Sequence, residues 1–255
     1  MIAGAQDGDP FIEFVGVKKR FGPKRIYEDL TLSIRRGETL CILGGSGTGK
    51  SVMLKLLIGL LKPDDGAILV EKQDVVPLDE DALLPVRRRI SMLFQGGALF
   101  DSITVAENVA YPLREHFHMS DSEIAARVEE RLEMVGLPGI SEMKPDDLSG
   151  GMRKRVALAR AIVADPEVVL YDEPTTGLDP VNTRRISELI RSVQQRLHVT
   201  SIVVTHDLGS AYMVADRLAM LHERRIAAVL PTAEFRRCPE PAIRDFVSAM
   251  EEQQP

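Results

Sequence analysis

Cysteine is nearly missing from this sequence. The 255 residues hold two, Cys41 and Cys238, far apart in the chain. That count excludes a disulfide framework and fits a reducing compartment, the cytoplasm. Cys41 lies in an apolar, strand-like run and reads as a small buried hydrophobe. Long hydrophobic runs are also missing. The best one, "SVMLKLLIGLL", contains Lys55 and falls short of the roughly 20 apolar residues that cross a bilayer. Any task at a membrane therefore needs another chain to supply the span. There is no excess of basic charge either: 32 Lys and Arg against 38 Asp and Glu give a net charge of -6. Nothing global points to a nucleic-acid partner. The start, "MIAGAQDGDP", has no basic-then-apolar signal pattern and reads as a loose tail over 1–10. Internal repeats and low-complexity segments are not found.

What is present is ordinary globular material, 44% hydrophobic and 27% charged, long enough for a sizeable core. "YEDLTLSIRRGE" alternates Leu30, Leu32 and Ile34 with polar residues, as a half-exposed strand does. "ETLCILG" is continuously apolar, as a buried parallel strand is, and a helix is expected from Lys50 to Leu61. "GAILVEKQDVV" and "RISMLFQ" add strands. From Thr104 to Ala164 the texture becomes helical. Ser120 and Glu123 form a capping box ahead of an Ile124, Val128, Leu132, Val135 stripe that "GLPG" ends. Strands then alternate with helices again: "EVVLYDE", a helix from Asp179, "TSIVVTH", a helix from Asp207, then "RLAMLHE" and "RIAAVL". The pattern predicts an α/β fold with a partly parallel core sheet, an antiparallel piece near the N-terminus and a helical insertion.

"GGSGTGKS" matches G-x-x-x-x-G-K-[ST] between a strand and a helix, the context that motif requires. Its glycines let successive N–H groups turn toward a phosphate, Lys50 adds a point charge and Ser51 a hydroxyl for Mg²⁺. "VVLYDEP" places Asp172, a candidate Mg²⁺ partner, beside Glu173, a candidate general base, at the end of an apolar strand. Gln95, read as ending the strand "RISMLFQ", offers a neutral amide to Mg²⁺ and water. His206, ending "SIVVTH", can bond a γ-phosphate. His116 and His118 have no third ligand at a recognisable spacing and read as surface residues. The basic runs at 87–89 and 153–155 read as solvated faces, with Arg155 free to support an anion. A second small-residue helix start, "DDLSGGMRKR", is another ready anion site, about a hundred residues after the first.

Together these motifs resemble the ATPase subunit of ABC transporters, from about Phe11 to Leu230. "LSGGM" (148–152) is similar to the family signature LSGGQ and "GLDP" (177–180) to its D-loop, with Asp179. Gln95 matches the Q-loop, His206 the H-loop, and Phe21 the aromatic that stacks on adenine. The resemblance implies a P-loop NTPase core over 11–238, a helical signature subdomain over about 97–165, and a C-terminal helical tail over 239–255. It implies ATP held by Gly44, Gly45, Ser46, Gly47, Thr48, Gly49, Lys50, Ser51 and Val52, and Mg²⁺ near Ser51, Gln95 and Asp172. It also explains the second grip. In this family two subunits pack head to tail, so Ser149, Gly150, Gly151 and Met152 of one copy face the γ-phosphate held by the other. Met152 stands where Gln is usual and Phe21 where Tyr is commoner. Six motifs in order separate this reading from DNA-repair heads, which place hundreds of coiled-coil residues before the signature. The reading also differs from two-domain translation factors. Intact Asp172, Glu173 and His206 set it apart from a regulator that binds ATP without turnover.

A narrower likeness lies in "FQGGALFDSITVAENVAYPLREH", which is similar to ATPases of the Mla type. It implies phospholipid transport between inner and outer membranes, with a membrane permease, an MCE-domain lipid-binding protein and a small accessory cytoplasmic subunit. The place of work would be the cytoplasmic face of the bacterial inner membrane. Ala98, Leu99 and Phe100 would suit docking of the permease, or simply pack the insertion. "PAIRDFVSAMEEQQ" puts Ile243, Phe246, Val247 and Met250 on one helical face, which must cover either its own domain or a second subunit.

Overall fold

A computed structural model of the chain describes residues 10–251, so all but the last residue of the expected tail at 1–10, and residues 252–255, lie outside the described residues. The apolar runs fold as ten strands of one sheet among these residues. In chain order the strands are β1 Ile12–Phe21, β2 Lys24–Ile34, β3 Thr39–Leu43, β4 Asp65–Val70, β5 Gln73–Asp74, β6 Ile90–Leu93, β7 Val168–Asp172, β8 Thr200–Thr205, β9 Arg217–His222 and β10 Arg225–Pro231. Their spatial order is β5-β4-β1-β2-β10-β9-β3-β8-β7-β6. The stretch β9-β3-β8-β7-β6 is parallel, and β5-β4-β1-β2 is antiparallel. The two regions join where β10 pairs antiparallel with β9 and parallel with β2.

The period-2 geometry of the strands splits the core in two. Leu40, Ile42, Val168 and Leu170 face one apolar cluster, which includes Met53, Leu54, Leu56 and Leu57 of helix α1, Lys50–Leu57. Cys41, Leu43, Val169 and Tyr171 face the other, with the helical insertion. Burial drives the Cys41 thiol pKa far up, so this cysteine is inert packing, and both cysteines are free. The first helix is shorter than expected. It stops at Leu57 because Gly59 adopts a left-handed φ of 68°. Helix α2, Glu80–Arg89, carries Pro85 inside and escapes a sequence reading for that reason; its start is marked by Asp79 accepting from the Ala82 N–H.

The insertion holds α3 (Val105–His116), α4 (Asp121–Met134) and α5 (Gly150–Ile162), packed on one another. The Ser120–Glu123 capping box is present, and Thr104 with Glu107 makes a second one at α3. Ile124, Val128, Leu132 and Val135 are all buried. Helices α6 (Pro180–Leu197) and α7 (Leu208–Val214) start at Asp179 and Asp207, each of which accepts backbone N–H bonds. Helix α8 (Thr232–Phe235) leads to α9 (Pro241–Glu251). Ile243 and Val247 of α9 are buried, and Phe246 and Met250 pack partly buried against the same core, so this helix covers its own domain.

The basic runs are not the solvated faces expected. Arg89 pairs with Glu71 and Glu167, and Arg87 donates to Glu80 and to the Ile58 carbonyl. Arg36 joins the same network through Glu71 and Glu167, with its guanidinium 3.7 Å from the Phe11 ring centroid. Arg155 is buried and donates to the Val135 and Gly136 carbonyls, where it caps α4 rather than serving an anion.

Two outcomes are expected. Hydrogen bonds from Arg89, then Arg36, hold the Glu167 carboxyl down to about 2. A depressed carboxyl stabilises the fold above its ordinary value, and that contribution fades as pH falls toward 2. Glu167→Gln, after solvent screening, should cost about 1 kcal/mol at neutral pH, read as a drop of about 2–4 °C in Tm. The gap to the native chain should close in melts taken between pH 4.5 and 2. Ile243→Ala should cost about 2–4 kcal/mol. The resulting drop in Tm should not change with protein concentration if α9 seats on its own domain.

Candidate nucleotide site

Three buried parallel strands, β3, β8 and β7, end side by side, and the loops that follow them carry the chemistry. This is the edge at which open α/β sheets bind ligands. After β3 the chain turns through 44–49 into α1. Gly49 has φ 110°, and a Cβ there would lie 2.6 Å from the Ile26 side chain, so only glycine serves. The Tyr27 hydroxyl donates to the Gly49 carbonyl at 2.5 Å and props the loop from below. No local pattern announces this support, because Tyr27 sits on another element, β2.

Lys50 is buried, and its Nζ donates to the carbonyls of Gly44 at 2.8 Å and Gly45 at 3.1 Å. It also stands 3.3 Å from Glu173 Oε1. Ser51 Oγ donates to Asp172 Oδ1 at 2.6 Å. Glu173 directly follows β7, and its N–H bonds the Val204 carbonyl of β8. Its φ is 47°, a conformation that costs a non-glycine residue about 1–3 kcal/mol and gathers at functional sites. His206 Nδ1 lies 2.9 Å from Glu173 Oε2, and Thr176 and Thr205 add hydroxyls to that oxygen at 3.2 and 3.4 Å. The two threonines were not singled out in the sequence; Thr205 stands next to His206.

Gln95 lies two residues beyond β6, in a turn closed by the Gly97 N–H bonding the Phe94 carbonyl at 2.8 Å. It therefore sits in a loop rather than at the strand end expected. A cleft of about 740 Å³ gathers Phe21, Lys24, Ile26, Gly45, Ser46, Gly47, Gly49, Lys50, Ser51, Val52, Gln95, Glu173, Thr176 and His206, with Met250 of α9 on its rim. Phe21 is 44% exposed at the end of β1, and the Lys19 ammonium lies 5.2 Å from its ring centroid. Lys24 and Met250 are members that no motif announced. Gly44 and Thr48 complete the loop, with Thr48 Oγ1 bonding the Gly45 carbonyl.

Ser149 to Met152 do not line this cleft. Ser149 caps α5 by accepting from the Met152 N–H, and Ser149 and Gly150 are exposed. The first-turn N–H groups of Gly150 and Gly151 have no intrahelical acceptor. Asp179 Oδ1 accepts from the Asn182 N–H at 3.0 Å and Oδ2 from Asn182 Nδ2 at 2.5 Å, and these hydrogen bonds, the backbone one first, hold its carboxyl below the usual range. Asn182 in turn presses on Gly151, where a Cβ would lie 2.6 Å from its Oδ1. The N-terminal turns of α5 and α6 thus share a contact that neither motif shows by itself. Ala98 and Phe100 are exposed, while Leu99 packs into the core. Phe94 and Tyr111 are also exposed, and the Phe100 and Tyr111 rings stand 5.0 Å apart.

No helix among the described residues is long and apolar enough to cross a membrane. The family model described as ABC transporter matches residues 27–176. The chain is 44% identical to the "Probable ribonucleotide transport ATP-binding protein mkl" of Mycobacterium leprae over 237 residues, 93% of this chain and 68% of that relative. It is 42% identical to the "Intermembrane phospholipid transport system ATP-binding protein MlaF" of Haemophilus influenzae over 85% of this chain and 82% of that one. The protein of the same name in Escherichia coli K12 is 38% identical over 90% and 85%. Among solved structures, the ATP-binding cassette MJ0796, a dimer in a post-hydrolysis state with ADP and Pi, superposes with a TM-score of 0.79 at 32% identity, over 87% of this chain and 98% of the other. With a phosphate loop, two adjoining carboxylates and a histidine meeting at one sheet edge, the chain belongs to the ABC transporter family as an ATP-binding and ATP-hydrolysing subunit.

Proposed function

We propose that two copies of this chain sandwich ATP head to tail and power phospholipid transport between the inner and outer membranes of a bacterial envelope. The observation that carries the first half is the separation of the two anion grips. Lys50 and its loop line the cleft, while the exposed start of α5 opens elsewhere. A second copy supplies the missing face. Lys50 exchanges the Gly44 and Gly45 carbonyls for phosphate oxygens, and Phe21 stacks on the base. Glu173, released from Lys50, accepts a proton from the attacking water. His206, fixed through Nδ1 by Glu173, turns its other ring nitrogen to the γ-phosphate. Ser149, Gly150, Gly151 and Met152 meet that phosphate from the partner, and Asp179 lines the seam.

The donor set fits Mg²⁺. Ser51 and Asp172 converge as hard oxygen ligands, with the Gln95 amide facing the same cleft. No cluster of three or more His, Cys, Asp or Glu able to cage a metal exists among the described residues. That suits an ion which draws its remaining ligands from phosphates and water. When bound, it would offset the charge gathering on the phosphates.

The cargo rests on the Haemophilus and Escherichia relatives, and on the exposed Phe94, Phe100 and Tyr111 as the seat of a membrane permease. Asn108, fully buried, holds both backbone groups of Phe100 and so fixes that ring on the surface. An MCE-domain lipid-binding protein and a small accessory cytoplasmic subunit complete the assembly at the cytoplasmic face of the inner membrane. The mycobacterial relative, named for ribonucleotides, favours a second cargo. Purifying the native complex from membranes and extracting its bound small molecules separates the two. Phospholipid with an MCE protein supports the proposal; ribonucleotide overturns it.

Glu173→Gln should lower turnover by about 10²–10⁴-fold while ATP and Mg²⁺ hold the chain as a stable dimer in light scattering. A monomer with normal turnover would contradict the sandwich. In mixed dimers, Ser149→Arg in one subunit should disable the site built on the other subunit's Lys50. Damage confined to the altered subunit's own Lys50 site would rule the arrangement out.

A further inference from the structure

Two cations of helix α5, Lys154 and Arg160, are given to the backbone of the 95–98 turn. Lys154 is 7% exposed and its Nζ donates to the Gln95 carbonyl. Arg160, six residues on, donates to the carbonyls of Gly97 and Ala98, each at 2.8 Å. Between them Ala157 sits against Gly97, where a Cβ would lie 3.5 Å from the alanine methyl. Gly97 needs its φ of 77° to come so close. Three charge-assisted bonds and one close packing contact therefore hold the 95–98 turn to the helix that begins at Ser149.

We propose that Lys154 is a positioning residue for Gln95, fixing the peptide plane that follows it so that the Gln95 amide points into the nucleotide cleft. The proposal rests on the reading that Gln95 acts on the water or metal beside the γ-phosphate. Burying an ammonium is costly, and here burial lowers its pKa. The carbonyl of Gln95 gives that buried ammonium a charge-assisted partner, which ties the two groups together. Because the turn and α5 are joined at both ends, Gln95 and Ser149 shift as one body. A change at the nucleotide of one copy is thereby carried to the grip offered to the other.

A double-mutant cycle on the full chain tests this, with steady-state hydrolysis measured across ATP concentrations. Gln95→Ala should lower kcat by about tenfold and Lys154→Met by about fivefold, with KM for ATP unchanged within about twofold. The double variant should be no slower than Gln95→Ala alone, because Lys154 acts through Gln95. Lys154→Gln, which keeps an N–H donor, should recover about half of the lost rate. Arg160→Met enters the same cycle, so a Lys154→Met chain that fails to fold does not end the test. Losses that multiply in full, or a native kcat in both Lys154→Met and Arg160→Met, overturn the proposal while leaving the role of Gln95 intact. A native kcat in Gln95→Ala removes the role of Gln95 and the proposal with it.

Discussion

The parallel pairing of β3 with β8 and of β8 with β7 is the constraint on which the rest depends. Their ladders would be only a scaffold if the strands faced water; here every residue of the three strands is buried, so their register cannot slip without exposing the core. That fixed register sets Lys50, Glu173 and His206 at one height. Glu173 then becomes a shared node: the Lys50 ammonium on one oxygen, the His206 imidazole and two threonine hydroxyls about the other. A left-handed backbone at that residue is tolerated because the sheet on either side holds it.

Around this edge the molecule arranges its more movable parts. The antiparallel strands bring Phe21 and Lys24 to the cleft from one side, and the helical insertion brings the 95–98 turn from the other. On the far side of the sheet, Arg36 and Arg89 tie the antiparallel region to β7 through Glu71 and Glu167. The two cores are separate in their side chains but share the strands, so strain in one face is felt in the other.

Much of this was legible in the residues. The phosphate loop, the Asp172–Glu173 pair and the histidine after "SIVVT" are short local patterns, and the structure gathers them in one cleft. The capping box at Ser120 marked its helix correctly because both partners lie within one turn. What escaped was non-local or ambiguous. The apolar run ahead of Gln95 reads as a strand through that residue, whereas the strand ends two residues earlier, at Leu93, and the chain turns at Gly96–Gly97. Pro85 hid a helix. The basic runs read as solvent faces because partners such as Glu71 and Glu167 for Arg89, the Ile58 carbonyl for Arg87, and the carbonyls of 95, 135 and 136 for Lys154 and Arg155 are distant in sequence. The seating of α9 depended on which surface stood opposite, which its own amphipathic pattern does not encode.

Cys41 has a further use. It lies in the middle of β3, fully buried, paired with Val203 on one side and Leu218 on the other, a few residues before the phosphate loop. A thiol reagent can reach it only when those strands part. With Cys238 changed to serine, the speed of labelling at this one sulfur becomes a clock for opening of the central sheet, and a nucleotide that grips the adjoining loop should slow that clock in proportion to how tightly it is held.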